Sequence, residues 1–286
     1  RTGYKAIADI RAKDGSFNLT PLFIGSQGTL GVISEIVLNT DFYSEKSVHA
    51  VIVADSIQTA RDLSERLIEL APAELTIYDG GLFRRAAKNG SQFHLIGSVD
   101  EVGAVVYIRF NDFSDRAQKH KMKKLYKLLK KIQMGAVDSR EQDPSEFIRL
   151  AEITDSVRLG AADDEVSPPL INGAWIPTNR REEFEIALTE LAAKHHVELP
   201  VVLNALTGTY DLFPHLKLGT VSDKQKLFKL LGDYAAVVDR CGGAVVSDGA
   251  EGRLKSNAAW GQLDDDVAAV YEQVRQIFDP FGTLKP

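Results

Sequence analysis

Residues 22–38 read LFIGSQGTLGVISEIVL, and the middle of that stretch, GSQGTLG (25–31), holds three glycines in seven residues. A tight turn needs one or two glycines. The apolar runs on either side predict two short strands around a glycine loop. Gly25, Gly28 and Gly31 would allow positive φ and a close approach of main chain to another group. Two readings fit. In one, successive N–H groups form a nest for phosphate oxygens, with the Ser26 and Thr29 hydroxyls as added donors. In the other, the loop is a plain β-hairpin. It is no P-loop, because no Gly-Lys-Ser/Thr follows. Nor is it a dinucleotide fingerprint, because the segment after it reads as a strand and not as a helix.

The surrounding chain of 286 residues is 44% hydrophobic and 26% charged, an ordinary globular balance. Its formal net charge of -6 argues against nucleic acid as a partner. A locally basic run, KHKMKKLYKLLKK (119–131), carries Leu125, Leu128 and Leu129 at helical spacing, with Ile132 directly after it. It reads as an amphipathic surface helix with a solvated lysine face, in preference to an anionic-surface binder. The single cysteine, Cys241, builds neither a disulfide framework nor a CxxC metal site, and it fits a reducing, cytoplasmic setting. No run approaches the length of an integral membrane span, and no signal peptide is visible. The chain starts at Arg1 and ends in FGTLKP, so a fragment of a longer protein is the expectation.

Downstream, strand-like runs such as SVHAVIVA (47–54), AELTIYD (73–79) and GAVVYIRF (103–110) alternate with helical ones such as DSIQTARDLSERLIEL (55–70) and NRREEFEIALTELAAKHH (179–196). Polar–apolar alternation favours antiparallel pairing over a buried parallel sheet. The fold class read from this is α+β: one antiparallel sheet with helices mainly on one face, and no solenoid-type repeat. A boundary is expected near NTDFYSEKS (39–47), where polar residues separate two apolar runs.

The stretch 22–38 resembles the end of the flavin-binding domain in the FAD-linked oxidase family of vanillyl-alcohol-oxidase type, where the form is close to LFVGSEGTLGIITEATL. Two weaker likenesses follow in the right order. GGAVVSDGAEGRLKS (242–256) resembles a GGxxSGEHGIGxxK segment, and IFDPFGTLKP (277–286) an ending close to DPxGILNPGK. The spacing fits the arm of the family with D-lactate dehydrogenases and glycolate oxidase subunits. TGYKA near the start is similar to the family's TGYDL, followed here by an excursion, IADIRAKDGSF. The resemblance implies a remnant of the FAD-binding domain over 1–42 and a ferredoxin-like substrate, or cap, domain over 43–286. It implies FAD in the full-length protein, absent from this fragment, with Gly25, Ser26, Gln27, Gly28, Thr29, Leu30, Gly31, Ile33 and Arg253 as cofactor-binding residues. It also implies a small-molecule substrate bearing a hydroxyl, such as a 2-hydroxy acid, and an unidentified electron acceptor.

Family dehydrogenases carry GHxGDGNxH, whose histidines join the glutamate of GEHG in a metal site. This chain departs from both motifs. Ala205 stands where the first histidine is expected and Leu212 near the second, while His215 comes three residues late, after Pro214. SDGAEGRLK has no histidine, though Asp248 and Glu251 remain. No metal ligands are therefore carried over. Candidate catalytic residues are Glu251, Asp248 and Tyr210 as bases and Arg149, in EFIRLAE (146–152), for a substrate carboxylate. Two of these have a plainer reading, an exposed helix arginine for Arg149 and a sheet or core aromatic for Tyr210, as Trp175 also reads. His195 and His196 read as helix C-terminal residues, and His49, His94 and His120 lack a telling partner. The parent protein is expected to be an FAD-dependent oxidoreductase and the fragment alone inactive. The alternatives are a non-catalytic cap or interaction module, and a different enzyme on the same scaffold with one of the three bases.

Overall fold

The computed structural model describes residues 3–40, 47–112, 114–158, 165–167, 171–246 and 252–284, without the side chains of Arg158, Arg253 and Leu254. The elements in chain order are α1 (Thr20–Phe23), β1 (Val48–Ala54), α2 (Ile57–Leu67), β2 (Glu74–Asp79), α3 (Gly80–Lys88), β3 (Ala104–Phe110), α4 (Asp115–Lys131), β4 (Val137–Asp138), α5 (Pro144–Ala151) and α6 (Ile153–Arg158). They continue with β5 (Glu165–Val166), β6 (Ile171–Trp175), α7 (Arg181–His195), β7 (Val201–Asn204), β8 (Thr209–Leu212), β9 (Leu216–Lys217), α8 (Val221–Arg240), α9 (Gly252–Trp260) and α10 (Asp265–Phe278).

Seven strands form one sheet in the order β4-β1-β3-β2-β7-β8-β6, antiparallel throughout. The first four strands, with α2 and α4 as crossovers, make a βαββαβ unit of order 4-1-3-2, the ferredoxin-like arrangement. The second half repeats it. β6, α7, β7, β8 and α8 follow in the same sense, and the fourth strand shrinks to one bridge, Trp175 with Ala244. The two units join edge to edge through β2 and β7. This duplication is one of topology and leaves no repeat in the sequence; VHAVIVA in β1 and INGAW in β6 share no pattern.

Alternation along the strands separates two cores. In β3, Ala104, Val106, Ile108 and Phe110 face one side, where α2, α4, α7 and α8 cover both units. Val105 and Tyr107 face the other, under α3, α5 and α6. The long helices thus share one face and three short ones sit on the other. Each fully buried Ile or Phe in these layers contributes about 1.5–3 kcal/mol. Local signals set the helix starts: Ser56 accepts from Thr59 N at α2, Asp143 precedes Pro144 at α5, and Thr220 with Asp223 forms a capping box at α8.

A third, smaller cluster joins the two ends of the chain. Tyr4, Leu22 and Leu30 pack with Tyr271 of α10, flanked by Phe23 and Phe278. The Tyr4 and Tyr271 rings meet edge-on at 5.5 Å. Here the strand expectation for 22–38 fails. Residues 20–23 form a short helix, and 32–40 have no ladder partner among the described residues. Extended backbone becomes a strand only when another strand takes its N–H and C=O groups. The side chains of that stretch are bare, with Val32 88% and Val37 92% exposed.

At the opposite edge, fully buried Asp138 in β4 accepts from Arg140 Nε at 3.0 Å and from Tyr126 of α4. Burial opposes its ionisation, but the Arg140 and Tyr126 hydrogen bonds outweigh burial and hold the carboxyl below the usual carboxylate range. The depressed value means that this stabilisation is complete above the unfolded-state pKa of about 3.9 and is lost as pH falls through the lower folded value. Asp138→Asn should therefore cost about 2 kcal/mol at neutral pH, less than a fully buried pair because Arg140 is partly exposed. The gap in urea midpoints between variant and wild type should narrow below about pH 4.

Candidate functional site

The glycine loop follows α1 as two tight turns. Ser26 N donates to Phe23 O at 3.2 Å and Thr29 N to Ser26 O at 3.0 Å. The Thr29 hydroxyl donates to Ser26 O at 2.7 Å and takes the Tyr4 hydroxyl as its own donor at 2.6 Å. Its one proton is used inside the loop, so Thr29 does not serve as the extra anion donor that the sequence suggested. Leu30 is buried in the terminal cluster and Ser26 is buried in the turn, whereas Gly25, Gly28 and Ile33 are exposed. Gly25 and Gly28 have φ of +83° and +79°, and a Cβ on either would meet nothing within 4 Å. Their main chain borders open space.

Gln27, also left-handed at φ 54°, reaches across 225 residues of sequence. Its Oε1 accepts from Gly252 N, the first residue of α9, at 3.3 Å. That helix was not foreseen in GRLKSNAAW. It is fastened to the sheet where Lys255 Nζ donates to the main-chain and side-chain oxygens of Asn172 in β6, both at 3.0 Å. The third motif lies close by in the chain's own packing. After α10, the Asp279 carboxylate accepts from Thr283 N and Leu284 N, each at 2.8 Å, and folds DPFGTL into a turn. The three separated sequence motifs thus gather at one end of the molecule. Asp248 and Glu251, which precede α9 in the sequence, lie outside the described residues, as does the Arg253 side chain.

Two candidates lie elsewhere. Tyr210, in β8, faces the helix side and is fully buried, its ring edge-on to Phe184 at 5.0 Å. Its hydroxyl donates to Glu185 at 3.0 Å, and Glu185 also accepts from Arg61 at 2.9 Å. Burial, then the Glu185 charge, pushes the phenol well above its ordinary value. Tyr210 is a core anchor and is withdrawn as a base. Arg149 on α5 is exposed and pairs with Glu146 at 2.6 Å. Its neighbour Phe147 packs by His49 of β1, five strands from β6, or roughly 24 Å at strand spacing. The structure does not bring Arg149 to the loop.

Ala205 and Leu212 are both buried in the helix-side core. At these positions side chains pack against hydrocarbon. Among the described residues no group of three His, Cys, Asp or Glu side chains is placed to hold a metal ion. His195 pairs with Asp233 at 2.7 Å and His196 caps α7 in the left-handed conformation, as helix C-terminal residues. His215, by contrast, enters a cluster that no spacing along the chain groups together. With His195, His196 and Glu165 it lines a cavity of about 300 Å³ beside β9. Its Nδ1 lies 3.2 Å from Glu198, and burial followed by the Arg85 charge lowers its pKa.

No family model matches the chain. It is 22% identical over its whole length to the glycolate oxidase subunit GlcD of Bacillus subtilis (strain 168), and it spans 59% of that protein. Among solved structures, 4-ethylphenol oxidase from Gulosibacter chungangensis superposes with a TM-score of 0.64 at 9% identity, over 85% of this chain and 53% of the other. An alkyldihydroxyacetonephosphate synthase gives 0.59 at 13% identity, over 93% and 48%. The chain is thus similar to the FAD-linked oxidases of vanillyl-alcohol-oxidase type and shares the C-terminal fold of those proteins.

Proposed function

We propose that this chain is the substrate-covering part, with an adjoining piece of the flavin domain, of an FAD-dependent oxidoreductase acting on a hydroxyl-bearing small molecule. The observation that carries this reading is the Gln27–Gly252 contact, which brings the two motifs that would flank a flavin to one place. The open main chain at Gly25 and Gly28 suits close approach of a phosphate or ribose, so the residues present fit the cofactor. The exposed run Val32–Leu38 suits a strand awaiting partners from a more complete flavin domain.

Bound FAD would supply the acceptor for a hydride leaving the hydroxyl-bearing carbon. The loop holds the cofactor by main chain, while the sheet and α9 position the substrate. A side chain must take the hydroxyl proton as the hydride leaves, and Glu251 followed by Asp248 are the groups proposed for it. A free glutamate titrates near 4.3, so burial would have to raise Glu251 toward working pH. Arg253, two residues on, would oppose that rise.

A second reading, a cap that binds without turnover, is favoured by Ala205 and Leu212, which leave the family's histidine positions to hydrocarbon. The deciding experiment is the spectrum of protein purified from the complete reading frame, followed by anaerobic addition of 2-hydroxy acids and then of other alcohols. A flavin spectrum that bleaches is the expected result. Retained flavin that no alcohol bleaches supports the second reading, and a colourless protein overturns both.

A further inference from the structure

We propose that the outer face of α4 is a docking surface for a membrane rich in anionic lipid. The inference is independent of the flavin reading. In 115–131 eight cations stand against one carboxylate, a net +7 in a chain of net -6, which leaves -13 to all other residues. Lys119, Lys123, Lys124, Lys127, Lys130 and Lys131 are all exposed. At 100° per residue they fall, with exposed Arg116, within an arc of about 140° and along about 22 Å of helix. Met122, Leu125 and Leu129 on the opposite side are buried in the core, so the helix cannot roll to hide its charges. Lys121 alone among the α4 lysines is paired among the described residues, with Asp112 at 2.9 Å. No carboxylate among them lies within 4 Å of the six exposed lysines or of Arg116.

The composition of the strip selects its partner. Six lysines to one arginine favour point charges over planar forks, and forks are what fixed carboxylates or phosphates on a folded partner reward. Fluid headgroups rearrange around point charges, and a cluster of four to eight cations is what an anionic leaflet attracts. No large apolar side chain of α4 is exposed, so the contact stays at headgroup depth. Among the described residues no helix is long and apolar enough to cross a membrane. The negative remainder does not forbid docking. Attraction and repulsion both fade beyond about 8 Å at physiological salt, so the strip acts through its immediate surroundings, even though α2 and α7 share its layer and carry exposed carboxylates of their own. Against a nucleic acid, the strip carries no Phe, Tyr or Trp to stack on bases, its one exposed ring being the His120 imidazole.

The test is co-sedimentation of the chain with vesicles of phosphatidylcholine alone and of phosphatidylcholine with a third phosphatidylglycerol. Binding is expected only to the second, weakening about tenfold from low to physiological salt. The triple variant Lys123→Glu, Lys127→Glu, Lys130→Glu should bind at least about tenfold more weakly. A triple variant off the strip with the same change in charge, Lys88→Glu, Lys224→Glu, Lys229→Glu, should bind within about twofold of wild type. All six lysines are exposed, and unchanged circular dichroism and melting confirm that both variants fold. Equal binding to neutral vesicles, no binding at low salt, or equal losses in the two variants would overturn the proposal. So would tighter binding to duplex DNA or poly-glutamate than to vesicles at matched charge.

Discussion

Gly28→Val, made in the complete reading frame, should lower the flavin-to-protein ratio of the purified protein more than tenfold while the sheet and its long helices stay folded. The effect is conformational. At φ +79° a side chain is strained whatever the space around it, and a Cβ at position 28 would touch nothing within 4 Å. An ordinary L-residue loses about 1–2 kcal/mol there, and a β-branched one more. Valine should therefore move residue 28 out of the left-handed region and rotate the neighbouring peptides. Gln27 is also left-handed and holds Gly252, so the same change uncouples the loop from α9. The damage stops at the terminal cluster, because neither of the two large cores includes residues 25–31. Gly28→Asn, which tolerates positive φ, should retain most of the flavin. Unchanged flavin content in the valine variant would show that the loop does not shape the cofactor site.

The sheet and its long helices were legible because the hydrophobic pattern is strong where both neighbours are present. AVVYIRF alternates between two cores, and REEFEIALTELAAKH turns Phe184, Leu188 and Leu191 inward. The stretch 32–38 has the same β-forming composition, yet its strand character depends on a partner that composition cannot report. Tyr210 shows another limit. A tyrosine in a strand reads alike as base or as core residue until its facing helix places Glu185 against the hydroxyl. Gln27 was legible as part of GSQGTLG, but its contact depends on the start of a helix 225 residues away, which the motif does not announce. The cavity at His215 draws on β5, β9 and two helix ends, so no local spacing could announce it.

Gly103→Ala should destabilise the chain by about 3 kcal/mol or more, at the upper end of overpacking costs, although it adds one carbon. Gly103 sits where β3 begins, in the crook of the β1–α2 turn. Its N–H donates to Ala54 O at 3.1 Å and its carbonyl accepts from Gly80 N at 2.8 Å. A Cβ there would lie 1.9 Å from Asp55 O and 2.6 Å from Ser56 N. Both are backbone atoms, so no rotamer change relieves the clash. The turn has to move, and Ser56 moves with it. Ser56 caps α2 by accepting from Thr59 N at 3.1 Å, a contact worth about 1 kcal/mol in its own right. The shift would also open the end of the β1–β3 ladder, where Ala54 pairs with Ala104. For a chain of this size each kcal/mol corresponds to about 2–4 °C, so the melting temperature should fall by roughly 10 °C. Gly135→Ala supplies the comparison, since a Cβ there meets nothing within 4 Å. It should change stability by no more than about 0.5 kcal/mol, with a slight gain from the stiffer unfolded chain. Equal melting temperatures for the two variants would mean that the β1–α2 turn yields freely and that the close approach at Gly103 does not hold the first βαββαβ unit in register.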